Sequence, residues 1–361
     1  MEPKTLKVLA ITLSWVLLSI LLFFYGHYYL VVSVQPDQIS GSYFPESNFL
    51  GYVFCSLLGG AFFGYLMIFR SYYRTRRKTF AYGILYNAGL FLALYVAMVV
   101  LVTVPIAITA GKTANAGVVL RVVLGVLTNP ASLVSMAIWA LIVAGTQFML
   151  QVSDKFGQGV LWNFLTGRYF HPKEEERIFM FLDITSSTTI AERMGHTLYF
   201  EFLKEFIADI TDPIIDNKGE VYQYVGDEVV VSWMVGDSRA NANCIRCFFA
   251  IQDHIANLAP KYEARFGVVP TFKAGLHSGE ATVGEIGVVK KDIVFSGDVL
   301  NTTSRIQGAC HEYNSVLLIS TKLLNRLTLD EGYGSEALGK IKLKGKEHTV
   351  ELNTVRRAPL S

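Results

Sequence analysis

Four long apolar segments dominate the first 150 residues and constrain the fold more than any other feature of the chain. They are Leu6–Leu30, Phe49–Phe69, Phe80–Ile108 and Ala131–Leu150. Each reaches the length of about 20 residues that a helix needs to cross a bilayer. The whole chain of 361 residues is 52% hydrophobic and only 17% charged, which is too apolar for an ordinary soluble protein. We therefore predict an α-helical membrane domain with four transmembrane helices over residues 1–150.

The distribution of Lys and Arg predicts the orientation of these helices. The connection after the second segment, Arg70–Lys78, carries five basic residues, whereas His27–Asn48 carries none. Cytoplasmic loops are enriched in Lys and Arg, so the N-terminus and the C-terminal half are expected in the cytoplasm. The expected location is the cell's inner (plasma) membrane, with membrane lipid as a partner. The first segment is too long for a signal peptide and no small-residue cleavage site follows it, which favours an uncleaved anchor.

The rest of the chain is expected to contain a linker and a soluble domain. Residues 151–176 are amphipathic and then charged, which is typical of a transducer linker, although a passive linker is the alternative. The net charge of +2 gives no support for nucleic-acid binding. The membrane half itself fits either a plain anchor or a receptor. Because its spans contain no Asp or Glu, a transporter is not supported.

Two acidic residues in apolar surroundings indicate the chemistry of the soluble part. Asp183 ends one apolar run and Asp227 lies within another, and both runs read as central strands. A buried carboxylate is costly unless a cation lies beside it, so the pair suggests a divalent metal site and bound phosphate. A strand-end aspartate that caps a turn is the alternative for each residue alone. Helix Thr188–Asp216 and a hairpin of Phe272–His277 with Ala281–Ile286 are predicted around them.

Four motifs in this region resemble one known family. They are Phe181–Thr188 (FLDITSST), Tyr222–Val230 (YQYVGDEVV), Lys273–Gly287 (KAGLHSGEATVGEIG) and Phe295–Gln307 (FSGDVLNTTSRIQ). Their order and spacing resemble the class III nucleotide cyclase catalytic domain, over Arg177–Val355. The resemblance implies an α+β ferredoxin-like (βαββαβ) cyclase domain at residues 177–361. Four spans before such a domain also resemble membrane-anchored bacterial adenylate cyclases.

The resemblance also implies roles for individual residues. Asp183, Asp227 and the carbonyl of Ile184 would hold two divalent metal ions, Mg²⁺ or Mn²⁺. Asn301 would orient the ribose and Arg305 would stabilise charge on the α-phosphate, although a solvated helix face would explain this pair as well. The phosphates would contact the start of the helix after Asp183, at Thr185, Ser186, Ser187 and Thr188. The terminal phosphates would also contact a lysine near the C-terminus, Lys346, with Lys344 as the alternative.

The nucleobase positions depart from both patterns of the family. Adenylyl cyclases of the family have a lysine where this chain has Gln223, and an Asp or Thr where it has Val294; guanylyl cyclases have Glu and Cys. A glutamine amide can form hydrogen bonds with either base. ATP is favoured because Gln223, like the lysine of adenylyl cyclases, lacks the negative charge of the Glu in guanylyl cyclases. We predict an adenylate cyclase that works as a homodimer with shared active sites. The alternatives are a guanylate or dual-specificity cyclase and a catalytically silent nucleotide-binding receptor.

Overall fold

The computed structural model describes residues 3–33, 45–71, 78–109, 116–156, 160–289, 291–342 and 349–358. Within it the chain divides into two compact units, Met1–Lys155 and Phe156–Ser361. The predicted phosphate-binding Lys346, with its alternative Lys344, lies outside the described residues.

The first unit is entirely helical in its described residues. Its helices are α1 (Pro3–Ser33), α2 (Pro45–Tyr65, continued by the π-helical Leu66–Ser71), α3 (Phe80–Thr109), α4 (Ala116–Thr128) and α5 (Pro130–Phe156). Four segments are long and apolar enough to cross a membrane: Thr5–Tyr29, Phe49–Ser71, Phe80–Leu101 and Ser132–Ser153. The number and approximate position of these helices agree with the sequence prediction. Helix α4 was not predicted, and its 13 residues are too short for a span.

Aromatic and small residues join the helices of this unit. Trp15 of α1 is 2% exposed, and its ring lies 5.9 Å from that of Phe63 and 5.6 Å from that of Trp139. The indole Nε1 of Trp15 donates a hydrogen bond to Thr146 Oγ1 at 3.0 Å. A Cβ on Gly60 would lie 3.1 Å from the Cα of Thr12, so a glycine is needed where α2 approaches α1 this closely.

Side-chain amides lie between α3 and α5. Asn87 is fully buried, and its Nδ2 donates to the carbonyl of Gly83 at 3.0 Å. A Cβ on Gly83 would lie 2.5 Å from Gln151 Nε2, so the glycine leaves room for this amide. Asn87 Oδ1 and Gln151 Nε2 are buried and have no hydrogen-bond partner among the described residues. The unit therefore buries neutral polar atoms that its own helices do not satisfy.

The second unit is an α+β domain built on one eight-stranded sheet. Its strands are β1 (Lys173–Ile184), β2 (Glu220–Val225), β3 (Glu228–Met234), β4 (Phe272–Ile286), β5 (Asp292–Ser296), β6 (Leu317–Ser320), β7 (Tyr333–Ile341) and β8 (Val350–Arg357). The strand order is β2-β3-β1-β4-β6-β8-β7, and β5 pairs with β4. Only the β4–β6 pairing is parallel among these described strands.

The helices of this unit cover both faces of the sheet. They are α6 (Val160–Leu165), α7 (Ser187–Met194), α8 (His196–Asp216), α9 (Ser238–Asn241), α10 (Asn243–Asn257), α11 (Ala259–Phe266), α12 (Asp298–Ala309) and α13 (Thr321–Leu324). Side chains of a strand alternate between faces. On β1, Met180 and Leu182 pack into the core with α8 and α10, while Phe179 and Phe181 pack with Val299 of α12. The odd-numbered side chains of β1 thus face α12.

The pair of cysteines in the Cys244-x-x-Cys247 spacing is part of the core. Cys244 and Cys247 are fully buried among Phe248 and its neighbours on α10. Burial raises the pKa of Cys244 to about 12, so this thiol stays neutral.

Two predicted elements are wrong. The hairpin predicted between His277 and Ala281 is a single strand, because β4 pairs with β1 without interruption from Phe272 to Val283. Gly279 lies inside this strand and not in a turn. It leaves room for α12, since a Cβ there would come 3.2 Å from Val299. The predicted helix Thr188–Asp216 is two helices, α7 and α8, separated at Gly195 with φ +78°.

Candidate active site

The structure brings Asp183 and Asp227 together at one end of the sheet. Asp183 is the penultimate residue of β1, and Asp227 lies in the turn that joins β2 to β3. Leu182 pairs with Val229 across β1 and β3, which places that turn beside the end of β1. The two carboxyl groups are within hydrogen-bonding reach of each other. Residues 44 positions apart in sequence therefore share one acidic site.

The acidic site carries more negative charge than its described surroundings neutralise. Burial, the neighbouring Asp227 and the charge of Glu228 together raise the pKa of Asp183 to about 7. Gln307 Nε2 lies 3.4 Å from Asp183 Oδ2 and partly offsets this effect by donating a hydrogen bond. Burial, followed by the charge of Asp227, also raises the pKa of Glu228. Asp227 Oδ2 is buried and accepts no hydrogen bond from the described residues.

These residues fit a divalent cation. Two adjacent carboxylates, one with a buried oxygen lacking a donor, offer the hard oxygen ligands that Mg²⁺ and Mn²⁺ bind. The described residues contain no group of three or more His, Cys, Asp or Glu side chains that could hold a metal. A cation here would therefore have to complete its coordination with backbone carbonyls, water or ligand phosphates, as Mg²⁺ commonly does. Ile184, whose carbonyl was a predicted ligand, follows Asp183 at the buried end of β1.

The segment Thr185–Thr188 turns the chain from β1 into helix α7. The amide of Thr185 donates to the carbonyl of Thr271 at 2.8 Å, which fixes the strand end. Ser186 has φ 58° and ψ 32°, a left-handed conformation that a non-glycine residue seldom adopts. Its side chain makes no capping hydrogen bond. The free amides of the first turn of α7, which include those of Ser187 and Thr188, thus follow directly after the acidic residue.

Helix α12 carries the predicted Asn301 and Arg305. Asn301 is exposed and Arg305 is half-buried, while Thr302, Thr303 and Ile306 of the same helix are buried. These two predicted residues therefore lie on the side of α12 that faces away from the sheet.

A glycine on β4 sets how closely α12 packs. A Cβ on Gly275 would lie 2.4 Å from the backbone nitrogen of Gln307, so only glycine allows this approach. The approach is what brings the Gln307 side chain to Asp183.

The predicted nucleobase residues lie on two strands that touch. Gln223 is exposed on β2 at a bulge, and Val294 is half-buried on β5. The amide of Phe295 donates to the hydroxyl of Tyr222 at 3.2 Å, and the two rings meet edge to face at 4.8 Å. The direct neighbours of Gln223 and Val294 are therefore in contact.

Three further residues near the acidic site were not predicted from the sequence. Gln307 reaches Asp183, and Lys273 is the direct partner of Asp183 across β1 and β4. The hydroxyl of Tyr199 bonds to Ser187, and burial and then the charge of Asp227 raise its pKa. Gln307 and Lys273 lie inside the cyclase-like motifs, so they could have been chosen as candidate site residues. Tyr199 lies at helical spacing from core residues, and nothing in the sequence distinguishes it from them.

Comparison with known proteins identifies the family. The profile of the "Adenylate and Guanylate cyclase catalytic domain" matches residues 171–354, about half of the chain. The chain belongs to this cyclase family. The resemblance to class III cyclases is thereby confirmed, together with an α+β cyclase domain after the four apolar helices.

Individual relatives are similar over the same part of the chain. "Adenylate cyclase 2" of Rhizobium meliloti (strain 1021) is 38% identical over 214 residues, which are 59% of this chain and 59% of that protein. "Adenylate cyclase 1" of the same organism is 26% identical over 192 residues, 50% of this chain and 27% of that protein. The chain thus covers less than two thirds of either relative.

A solved structure shares the fold. The "Structure of a bacterial light-regulated adenylyl cyclase" has a TM-score of 0.53 at 20% identity, covering 63% of this chain and 67% of that chain.

Proposed function

We propose that the protein is a membrane-anchored adenylate cyclase that converts ATP to 3′,5′-cyclic AMP and pyrophosphate. The observation that carries this proposal is the paired Asp183 and Asp227, with its excess of negative charge, inside a domain of the cyclase family. The similar proteins that are named adenylate cyclases support ATP as the substrate. Gln223 supports it as well, since it brings no negative charge toward the base.

In the proposed mechanism the carboxylates of Asp183 and Asp227, with the Ile184 carbonyl, would hold two divalent ions. Bound Mg²⁺ or Mn²⁺ would acidify the ribose 3′-hydroxyl and neutralise the triphosphate. Gln307 holds one carboxylate oxygen of Asp183 in place. The 3′-oxygen loses its proton to solvent water and bonds to the α-phosphorus, and pyrophosphate leaves as the bond from the α-phosphorus to the bridging oxygen breaks.

The remaining proposed residues bind and orient the nucleotide. Arg305 stabilises charge at the α-phosphate, because its guanidinium stays charged and offers a planar set of donors. Asn301 orients the ribose. The start of α7 binds the phosphates: the free amides of Ser187 and Thr188 in its first turn suit phosphate oxygens, and Thr185 and Ser186 are assigned through their hydroxyl groups. We assign the terminal phosphates to Lys346 and the base to Gln223 and Val294.

We propose that the active sites are shared in a homodimer, with the acidic residues from one chain and Asn301 and Arg305 from the other. Mixing an Asp183→Ala chain with an Arg305→Ala chain tests this directly. Random pairing should restore about a quarter of the wild-type activity, since half of the dimers regain one intact site. Each variant alone should be inactive. If the mixture stays as inactive as its components, the sites are not shared.

The proposal places the four apolar helices of residues 1–150 in the plasma membrane, with the N-terminus and the catalytic domain in the cytoplasm. Residues 151–176 act as the transducer linker and residues 177–361 as the catalytic domain. We assign β1 to β4 with α8 and α10 to a ferredoxin-like core, for which the strand order β2-β3-β1-β4 is the support.

A guanylate or dual-specificity cyclase is the second candidate, because Gln223 and Val294 match neither pattern of the family. The test is to incubate purified full-length protein with ATP and GTP in parallel, with Mg²⁺ and separately with Mn²⁺. Cyclic AMP as the dominant product supports the proposal, and cyclic GMP or both products support the second candidate. A folded protein that forms neither product would instead be a nucleotide-binding receptor.

A further inference from the structure

The contact between Tyr222 and Phe295 joins two strands that are far apart in the sheet. In the hydrogen-bonding order, β3, β1 and β4 separate β2 from β5. The Tyr222 hydroxyl nevertheless accepts a hydrogen bond from the amide of Phe295 at 3.2 Å. The sheet must therefore curl toward the face of α12, because adjacent strands of a flat sheet lie almost 5 Å apart. Tyr222 is a bridge across the open side of this curl.

Phe295 is held from its other sides by buried groups. Its ring meets Phe179 edge to face at 5.6 Å, and the guanidinium of Arg177 lies 4.7 Å from the ring centre. Arg177 is 3% exposed, and its Nε donates to Glu175 at 2.9 Å. Its Nη1 donates to Glu220 at 2.8 Å. The two carboxylates fix the guanidinium of Arg177, and the guanidinium and Phe179 in turn fix the Phe295 ring that packs against them.

The same bridge joins the direct neighbours of the two residues assigned to the nucleobase. Gln223 follows Tyr222 on β2, and Val294 precedes Phe295 on β5. Val294 can only pack against a base, so the choice between bases depends on where the Gln223 amide meets the hydrogen-bonding edge. That position depends on the separation of the two strands.

We propose that Tyr222 is a positioning residue that sets the separation of Gln223 and Val294 and thereby the selectivity for the nucleobase. This inference rests on the proposed function and adds a residue to it. A Tyr222 that only stabilised the fold would affect the amount of active protein, and hence kcat, equally for ATP and GTP. A positioning residue changes the ratio of the two substrates, because it alters contacts that differ between the bases.

The test compares Tyr222→Phe with Tyr313→Phe in the full-length protein. Tyr313→Phe is a matched control that removes the hydroxyl of a half-buried tyrosine on neither β2 nor β5, where the ring packs against the cluster of Ile306 and Leu318. Steady-state kcat/KM is measured for ATP and for GTP. Tyr222→Phe should move the ATP-to-GTP ratio about three- to tenfold toward unity, mainly through KM, which is the effect of one hydrogen bond. Tyr313→Phe should leave it within about twofold. An unchanged ratio in Tyr222→Phe overturns the inference.

A binding measurement separates this inference from the proposed reaction. ATP and GTP compete against the fluorescent 3′-anthraniloyl-2′-deoxy-ATP on each variant, which gives the ratio of their Kd values without turnover. If the wild type binds nucleotides but makes no cyclic product, the reaction is wrong and the Kd ratio still decides the role of Tyr222. A chain that binds neither nucleotide contradicts both proposals.

A second variant covers the case in which Tyr222→Phe fails to fold. Phe295→Leu keeps the backbone amide but removes the ring contacts with Tyr222 and Arg177. It should shift the ATP-to-GTP ratio in the same direction. A ratio equal to that of the wild type would again overturn the inference.

Discussion

Both units of the molecule bury polar atoms that lack hydrogen-bond partners among the described residues, but only in the second unit do these atoms include a carboxylate oxygen. In the first unit they include two atoms of neutral amides, Asn87 Oδ1 and Gln151 Nε2. In the second unit they are the hydroxyl oxygen of Ser278 and Asp227 Oδ2, and Asp183 lies beside Asp227. A buried amide without a partner costs a modest free energy, whereas a buried charge costs far more.

The difference separates packing from function. The amides of the helical unit lie between two helices, where interhelical polar contacts contribute little each. Burial and the neighbouring Asp227 raise the pKa of Asp183, so its ionised form is unfavourable in the folded protein unless a cation compensates. We therefore expect changes at the acids to affect activity and changes at the amides to affect only stability.

The largest expected effect is on the acids. Asp183→Asn or Asp227→Asn should lower cyclase activity at least about 1000-fold, because each removes a metal ligand. Cyclic nucleotide production by the full-length protein measures this. Asp253→Asn is the matched control, since its carboxylate is exposed and pairs with Arg357 at the surface; it should stay within about twofold. Substantial activity in both acidic variants would refute the proposed metal site.

The next effect concerns the close packing of α12 on β4. Gly275→Ala should lower the free energy of unfolding by about 1–3 kcal/mol, because its Cβ would overlap the backbone of Gln307. Gly308→Ala, on α12 itself, is the control, because a Cβ at Gly308 would meet no atom within 4 Å. It should be neutral or stabilise by up to about 1 kcal/mol. Equal unfolding temperatures for the two variants would contradict this account.

The pH dependence of stability should distinguish the units further. The pKa of Asp183 is about 7 in the folded protein and near 3.8 when unfolded, so the folded state keeps a proton that the unfolded state releases. Metal-free stability should therefore fall as the pH rises from about 4 to about 7, by about 2 kcal/mol, since partial solvation reduces the full effect. Thermal unfolding with and without Mg²⁺ measures it.

Asp183→Asn should abolish this contribution, and Mg²⁺ should restore stability mainly above pH 7, where the carboxylate is ionised. An equal pH dependence in wild type and Asp183→Asn would rule out Asp183 as its source. The amides of the helical unit do not titrate and should contribute nothing.

The smallest effect is expected in the helical unit. Asn87→Leu replaces a buried amide with an unpartnered oxygen by an apolar side chain of similar size. It should raise the free energy of unfolding in detergent by less than about 1 kcal/mol, measured as a small rise of the unfolding temperature, and leave cyclase activity unchanged. A strong loss of stability or of activity would show that the amide has a partner or a role beyond packing.

Features that depend on residues close together along the chain could be predicted from the sequence. Run lengths and hydropathy were enough for four long apolar helices, and motif spacing was enough for the cyclase family and for Asp183 and Asp227. The break at Gly195 and the continuous β4 were missed. Gly279 reads as a turn residue, but it lies in a strand that packs closely against α12. Gly195 reads as part of one helix, but its positive φ angle ends the helix there.

Contacts between residues that are far apart in sequence could be read only from the tertiary structure. Gln307 and Asp183 are 124 positions apart, and Phe295 and Tyr222 are 73 apart. The unpartnered oxygen of Asp227 and the curl that joins β2 to β5 likewise follow from the packing of α12 and of the whole sheet. Local patterns do not contain such information, because the free energy that selects these contacts comes from burying many strands and helices together.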